Sequence, residues 1–552
     1  MRSLQTQIFN PDATQFPAVT IGSGPYITVG SEALSLRDIK LRLNAFHGVV
    51  GSAVERSTIN NKTQDTDLVE LQLLRDFNKS IQRSQSVIER HYNGQLPKEG
   101  SALEILHQNI QDVTDALYKL RLHHTYYHRR SGERPLVTAV QSSRRTAPEF
   151  FEKIAEIDAD YMTGGSRNSD GHFQVIRVGQ DREPWSLLSK NALPAFDNLF
   201  AGARAIFFDE DPGLGTWLKF TYVLQLVQVG HLPKVPIYLV GGERDWGVMS
   251  SLAQAYLRDD IYGVPFISTV NPEAQNASDA TLFTIVDSTA DAIEHFKNHR
   301  EDQEQQMQTV GKSVLYDHEF SQLEELVLSP LMHIEAALES VVYKQEGHTG
   351  ISIFGTARSS RRMHKIQNSD LNCYELTYDM AYRLAQEGVT IINGGGPGAM
   401  EAATYGGKDA GIKRPLRLTV DLPFEPQQND PETVQHHHAR FSSRLNEFFK
   451  ASDAFVITPG GYGTLLEAIF VARCNQIRIK LGKRVKPLII ARFAEQDLIA
   501  DRIYEMMRRL HEQKHFGEMK WINDGIPFIE VVDMRNGAAE LINKLNSYGI
   551  IK

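Results

Sequence analysis

A four-residue apolar run, a glycine turn and a helix-spaced apolar stripe follow one another without a break between Ala454 and Ala472. Ala454-Phe455-Val456-Ile457 is short and apolar throughout, the pattern of a parallel strand buried on both faces. Pro459-Gly460-Gly461-Tyr462-Gly463-Thr464 then makes a turn that needs glycine, and Leu465, Leu466, Ile469, Phe470 and Ala472 return at helical spacing. Strand, glycine turn and helix N-terminus in that order aim several free backbone N–H groups at one point. The helix dipole adds roughly half a positive charge there, so the point suits a phosphate. The turn is not a Walker loop, since no Lys follows the glycines, and it lacks G-x-G-x-x-G spacing.

The same pattern occurs earlier. Ala205-Ile206-Phe207-Phe208 followed by Asp211-Pro212-Gly213-Leu214-Gly215-Thr216 echoes it, with Gly215 and Gly463 separated by 248 positions. Pro236 and Pro487 sit in matching strand starts 251 apart, and Asp287 and Asp533 in matching strand ends 246 apart. Ser142-Ser143-Arg144-Arg145 and Ser359-Ser360-Arg361-Arg362 each follow a strand-like run. The echoes describe one α/β unit written twice. Divergence is selective: Thr216-Trp217-Leu218-Lys219 stands where the second copy has Thr464-Leu465-Leu466-Glu467. Gly164-Gly165-Ser166-Arg167-Asn168 reads as a decayed form of Gly394-Gly395-Gly396-Pro397-Gly398.

Short strands alternating with helices predict an α/β fold of two tandem doubly wound parallel-sheet (Rossmann-like) units, the first degenerate. The expected division is an N-terminal arm and helical extension over 1–99, the degenerate unit over 100–300, a helical linker over 301–347 and the complete unit over 348–552. In the extension, Leu68, Leu71, Leu74 and Phe77, then Ile105, Ile110, Val113 and Leu117, mark amphipathic helices. A chain of 552 residues exceeds what one core holds, in keeping with several domains. The net charge of −9 with mixed signs argues against a nucleic acid polymer or an anionic membrane as partner. Two cysteines make neither a disulfide framework nor a metal motif, and no apolar run approaches a membrane span, so the expected location is cytoplasmic.

Pro459-Gly460-Gly461-x-Gly463-Thr464-x-x-Glu467, with Gly394-Gly395-Gly396-Pro397-Gly398-Ala399-Met400-Glu401 some sixty residues upstream, resembles the signature of the Lonely Guy (LOG) family. The resemblance covers about 348–552. Its members were once labelled lysine decarboxylases, and those characterised are phosphoribohydrolases of nucleoside 5′-monophosphates. It implies Glu467 and Arg444 as catalytic residues, with Gly355, Thr356 and Arg358 against the nucleotide and Met400 and Glu401 beside base or ribose. The glycines Gly394, Gly395, Gly396 and Gly398 and the turn of Pro459, Gly460, Gly461, Tyr462, Gly463 and Thr464 would bind phosphate and ribose. Where the family usually has Arg-Lys, this chain has Arg444-Leu445.

The residues also admit plainer roles. Thr464-x-x-Glu467 has the spacing of a capping box, and Arg444 fits an exposed helix arginine paired with Glu447. Glu401 fits a first-turn carboxylate answering the helix dipole, and the glycines fit tight turns. His436-His437-His438 offers no metal set, because consecutive residues diverge and no carboxylate or Cys stands at ligand spacing; it fits a polar rim.

The resemblance implies hydrolysis of the N-glycosidic bond of a nucleoside monophosphate, AMP favoured, with neither cofactor nor metal. The alternative is a nucleotide-binding sensor without chemistry. A decarboxylase would need a Schiff-base Lys, and neither glycine motif has one. LOG relatives dimerise through the helices beside this site, so two copies in one chain are expected to pack as an internal pseudo-dimer, with homo-oligomerisation beyond it.

Overall fold

The computed structural model describes residues 19–21, 26–29, 32–35, 44, 47, 50, 68–92, 105, 107–114, 116–117, 120, 136–140, 174–178, 200, 203, 205–228, 232, 235–258, 283–298, 349–357, 372–411, 413–420, 432–438, 441–494, 498–512 and 520–551. Arg358, the two Ser-Ser-Arg-Arg segments, Gly164–Asn168 and all of 301–347 lie outside them. The chain forms two compact units, one of Met1–Tyr127 with Thr309–Glu346, the other of His128–Gln308 with Gly347–Lys552. These cuts differ from the division at 99/100 and 300/301. Residues 100–127 and most of the linker belong with the N-terminal helices, and both α/β copies share a single unit.

The N-terminal unit contains an antiparallel sheet of β1 (Val19–Ile21), β2 (Tyr26–Val29) and β3 (Glu32–Ser35), and the long helix α1 (Leu68–Tyr92). Leu71, Leu74, Phe77 and Ile81 recur on one face of α1 and are buried, as are Ile110, Val113 and Leu117. Ile105, expected on that apolar face, is exposed at 42 %.

The larger unit carries two wholly parallel sheets. The first is built from β4 (Leu136–Val140), β5 (Gln174–Val178), β6 (Ala205–Phe208), β7 (Ile237–Val240) and β8 (Thr284–Val286), in the order β5-β4-β6-β7-β8. Helices α2 (Leu214–Gln228), α3 (Gly242–Arg258) and α4 (Thr289–Asn298) connect or follow its later strands. In the second half β9 (Gly350–Phe354) leads to α5 (Cys373–Gln386), β10 (Thr390–Asn393), α6 (Ala399–Asp409), β11 (Leu416–Val420), β12 (Val434–His438) and α7 (Phe441–Ala451). Then come β13 (Ala454–Ile457), α8 (Tyr462–Lys480), β14 (Leu488–Arg492), α9 (Leu498–Glu512), the hairpin β15 (Ile522–Asn523) and β16 (Ile526–Pro527), β17 (Glu530–Asp533) and α10 (Ala539–Ser547). The second sheet runs β12-β11-β10-β9-β13-β14-β17.

Alternation along the strands fills both faces of this sheet. Ile351, Ile353, Ala454 and Val456 enter a core with Met380, Leu384, Leu541 and Leu545 from α5 and α10. Phe354 and Phe455 face the other way, Phe354 edge-on to Phe448 and Phe455 stacked on Phe449, which in turn meets Phe470 of α8. Gly388, at φ +78, ends the run out of α5 as a C-terminal glycine should.

Superposing the strand orders aligns β4 with β9, β5 with β10, β6 with β13, β7 with β14 and β8 with β17. That register corrects one correspondence. The Gly394 turn follows β10, the partner of β5, whereas Gly164-Gly165, outside the described residues, precedes β5 in the chain. Strand β12 was also unforeseen, because His436-His437-His438 hides a strand paired with β11 along five residues. Helices α2 and α8 pack against each other: a Cβ on Gly215 would lie 3.4 Å from the Arg473 guanidinium, and one on Gly463 would lie 3.5 Å from the Gln225 amide. No helix among the described residues is long and apolar enough to cross a membrane.

Candidate active site

The strand order of the second sheet reverses between β9 and β13, and at such a switch point the turns leaving neighbouring strands diverge to open a crevice. Three turns meet there. Thr458 donates its N–H and its hydroxyl to Phe354 O at 2.7 and 3.0 Å, and Thr356 N donates to Pro459 O at 3.1 Å, tying the end of β9 to the end of β13. Ala399 N donates to Thr356 O at 2.9 Å, bringing in the head of α6. Gly398 caps that helix at φ +72, where a Cβ would fall 2.4 Å from Thr356 O, so the position requires glycine twice over.

The structure therefore places Gly355, Thr356, Gly394, Gly395, Gly396, Gly398, Pro459, Gly460, Gly461, Tyr462, Gly463 and Thr464 around the carboxyl edge of three adjacent strands. Met400 and Glu401 occupy the first turn of α6, both half-buried, with the Met400 sulfur against Gly394. Helix α8 begins at Tyr462 with Gly461 as its cap. That start corrects the capping-box reading: Thr464 and Glu467 lie inside the helix, too late to reach the cap N–H groups.

Glu467 instead points at Arg444. Its Oε1 lies 3.9 Å from Arg444 Nη2, and both side chains are buried. Arg444 is fixed by Nε donating to Leu418 O of β11 at 2.7 Å and by the faces of Phe441 and Phe448, 5.3 and 5.1 Å from its Cζ. Its guanidinium fills the space above Gly394, where a Cβ would come within 1.9 Å of Nη2. Burial pushes the Glu467 carboxyl up to about 7, against the opposing pull of Arg444, so near neutral pH the group can both hold and release a proton.

Arg444 is buried, not the exposed helix arginine of the plainer reading. Glu447 is clamped by two histidines of β12: His436 Nδ1 at 2.6 Å from Oε1 and His438 Nε2 at 2.5 Å from Oε2. Alternation along a strand puts residues two apart on one face, which is how 436 and 438 reach one carboxylate. No carboxylate stands at ligand spacing in the sequence, and it is α7 that brings Glu447 to this His run. The three side chains bind one another, and among the described residues no His, Cys, Asp or Glu group is arranged to hold a metal ion.

Three residues were not foreseen. Arg417 Nη2 donates to Gly395 O at 2.8 Å and puts a second buried guanidinium beside the Gly394 turn. Asn393 accepts from Gly395 N at 2.8 Å and donates to Thr404 Oγ1 at 2.9 Å, bracing that turn from within. Gln225, from the other copy, reaches Gly463. A buried Arg and Asn interrupting apolar strands were the available signal for the first two; nothing local marked Gln225.

Residues 398–520 match the family model described as "Possible lysine decarboxylase". An uncharacterized protein of Archaeoglobus fulgidus is 34% identical over 122 residues, 21% of this chain and 73% of the relative. Among solved structures, the structural-genomics target TM1055 aligns at 18% identity over 36% of this chain and 99% of its own, with a TM-score of 0.24. The molybdenum cofactor carrier protein of Chlamydomonas reinhardtii does so at 17%, 36% and 99%, with a TM-score of 0.25. With the paired glycine motifs on adjoining strands of one parallel sheet, a matching family model and a relative covered over most of its length, the chain belongs to the Lonely Guy family.

Proposed function

We propose that the second α/β copy is an N-glycosidase that hydrolyses nucleoside 5′-monophosphates, AMP foremost, to free base and ribose 5-phosphate. The observation that carries this reading is the buried Glu467–Arg444 pair at the head of α8, with a carboxyl that titrates near 7 beside turns whose N–H groups suit a phosphate. As the C1′–N bond breaks, its electron pair leaves with the base and positive charge grows on the sugar. An ionised Glu467 stabilises that charge in a water-poor site. Water oxygen adds to C1′, its proton passes to Glu467, and the departing base takes up one proton, so the sum is nucleotide plus water. Arg444 and Arg417 hold the Gly394–Gly398 turn and supply positive potential for the phosphate.

Chromatographic release of free base from the common monophosphates tests it, with Glu467→Ala and Arg444→Ala compared at equal circular dichroism. Adenine from AMP with the wild-type chain and a loss in both variants is the expected result. Wild-type inactivity on every monophosphate overturns it, and a thermal shift with AMP but no base released would instead identify a nucleotide-binding regulator.

A further inference from the structure

Gln225 lies on α2, in the copy whose chemistry has decayed, yet its amide sits at the first turn of α8. A Cβ added to Gly463 would be 3.5 Å from Gln225 Oε1 and 3.6 Å from Nε2. The residue is 8 % exposed, and Oε1 is buried with no hydrogen-bond partner. Buried acceptors are rarely left unmet, and one that is calls for an explanation. Gly463 and Glu467 are four apart on α8 and share a face, and a helical side chain leans back over the turn before it. The Glu467 carboxyl therefore leans toward the turn that Gln225 borders. Gly463, having no side chain, leaves room beside the Gln225 amide for at least a methyl.

We propose that Gln225 is a substrate-binding residue lent by the degenerate copy, and that its Oε1 accepts a hydrogen bond from a ribose hydroxyl. The inference rests on the proposed nucleosidase reading and adds the chemistry of one contact. An orphan acceptor needs a donor, which rules out phosphate oxygen as its partner. Backbone N–H groups of the glycine turns take the phosphate and Glu467 attends C1′, so the group between them on this face is the sugar.

The test uses the full chain with Gln225→Met, which keeps length and removes the amide, and Gln225→Asn, which keeps polarity but withdraws the acceptor. Turnover of AMP gives KM and kcat; binding of AMP and 2′-deoxy-AMP is measured on a Glu467→Gln background, where substrate persists. The expected result is a KM for AMP raised about tenfold with kcat changed less, and a preference for AMP over 2′-deoxy-AMP that shrinks about tenfold. The ligand-free melting temperature of Gln225→Met should stay level or rise, because an unmet acceptor has been removed. Unchanged KM and unchanged sugar preference in Gln225→Asn overturn the inference while AMP hydrolysis itself still stands. A fall in melting temperature with normal KM assigns Gln225 to packing alone and overturns it equally.

Discussion

The two α/β copies share five strands in the same order, and they differ where a ligand would sit. In the first copy, among the described residues, side chains crowd the ends of β6, β7 and β8. Asp245 accepts from Asp211 N at 2.9 Å and is held by Arg244, while Asp287 crowds Gly242. Trp217, in the place of Leu465, packs 4.8 Å from Trp246 and beside Phe220. Lys219 stands where Glu467 does. A phosphate meeting carboxylates already installed at that edge would be repelled. In the second copy the sheet extends by two strands, β11 and β12, which among the described residues have no counterpart in the first. Those strands supply Leu418 O to fix Arg444, carry Arg417, and present His436 and His438 to Glu447. The lesson is that the glycine turn is scaffold common to both, and that Arg417 and the carbonyl fixing Arg444 belong to the added edge.

The largest expected effect breaks the symmetry directly. Glu467→Gln should lower base release by roughly 10²–10⁴-fold, whereas the mirror change Lys219→Glu should leave it within about twofold. A substantial change in rate from Lys219→Glu, read in the same chromatographic assay, would refute the assignment of chemistry to one copy. Next comes Arg444→Met, expected to reduce kcat/KM about a hundredfold. Removing the guanidinium also removes what opposes the burial of Glu467, so the ascending limb of the pH–rate profile should move above about 7. A limb that stays in place would separate Arg444 from the carboxyl.

Stability tests the same pair without any substrate. The folded Glu467 carboxyl titrates at about 7 against an ordinary 4.5, so between those values the native state binds more protons than the unfolded chain. Stability contributed at this site is therefore greatest below about 4.5 and falls as pH rises to about 7. Glu467→Gln should abolish that slope and be more stable than wild type above pH 7 by roughly 3 kcal/mol, the size of such a shift. Denaturant melts at pH 5 and pH 8 measure it, and parallel losses in wild type and variant would remove Glu467 as the source. Lys219→Met should show no gain of this kind.

What could be read from the sequence follows from how local each signal is. Apolar runs such as Ile351–Phe354 and Ala454–Ile457 mark buried strands whatever surrounds them, and glycine after a strand marks a turn, so the α/β plan and both motifs were visible. Strand β12 was not, because His436-His437-His438 has no apolar pattern and pairs through its backbone with a strand that ends at Val420. The capping box misled because T-x-x-E says nothing about which residue starts the helix; Gly461 decides that. Gly164-Gly165 misled because composition carries no strand order. Arg417 and Gly395 are 22 residues apart, and Gln225 belongs to another copy of the fold, so both contacts exist only once the sheet order is known.

The smallest effects come from one substitution made twice. Gly215 and Gly463 occupy matching second positions of α2 and α8, neither at positive φ, and a Cβ at each would make ordinary contact, 3.4 Å from Arg473 Nη2 and 3.5 Å from Gln225 Oε1. Alanine should therefore stabilise both helices alike, by up to about 1 kcal/mol, through the lower conformational freedom of the unfolded chain. Activity should divide them. Gly215→Ala adds its methyl against the Arg473 guanidinium and should leave KM for AMP unchanged. Gly463→Ala puts its methyl between the Gln225 amide and the face of α8 that carries Glu467, and should raise KM several-fold with little loss of kcat. Equal melting shifts with equal kinetics would mean that the space over Gly463 is packing and not pocket, and the distinction between the two copies would then rest on Arg444 and Glu467 alone.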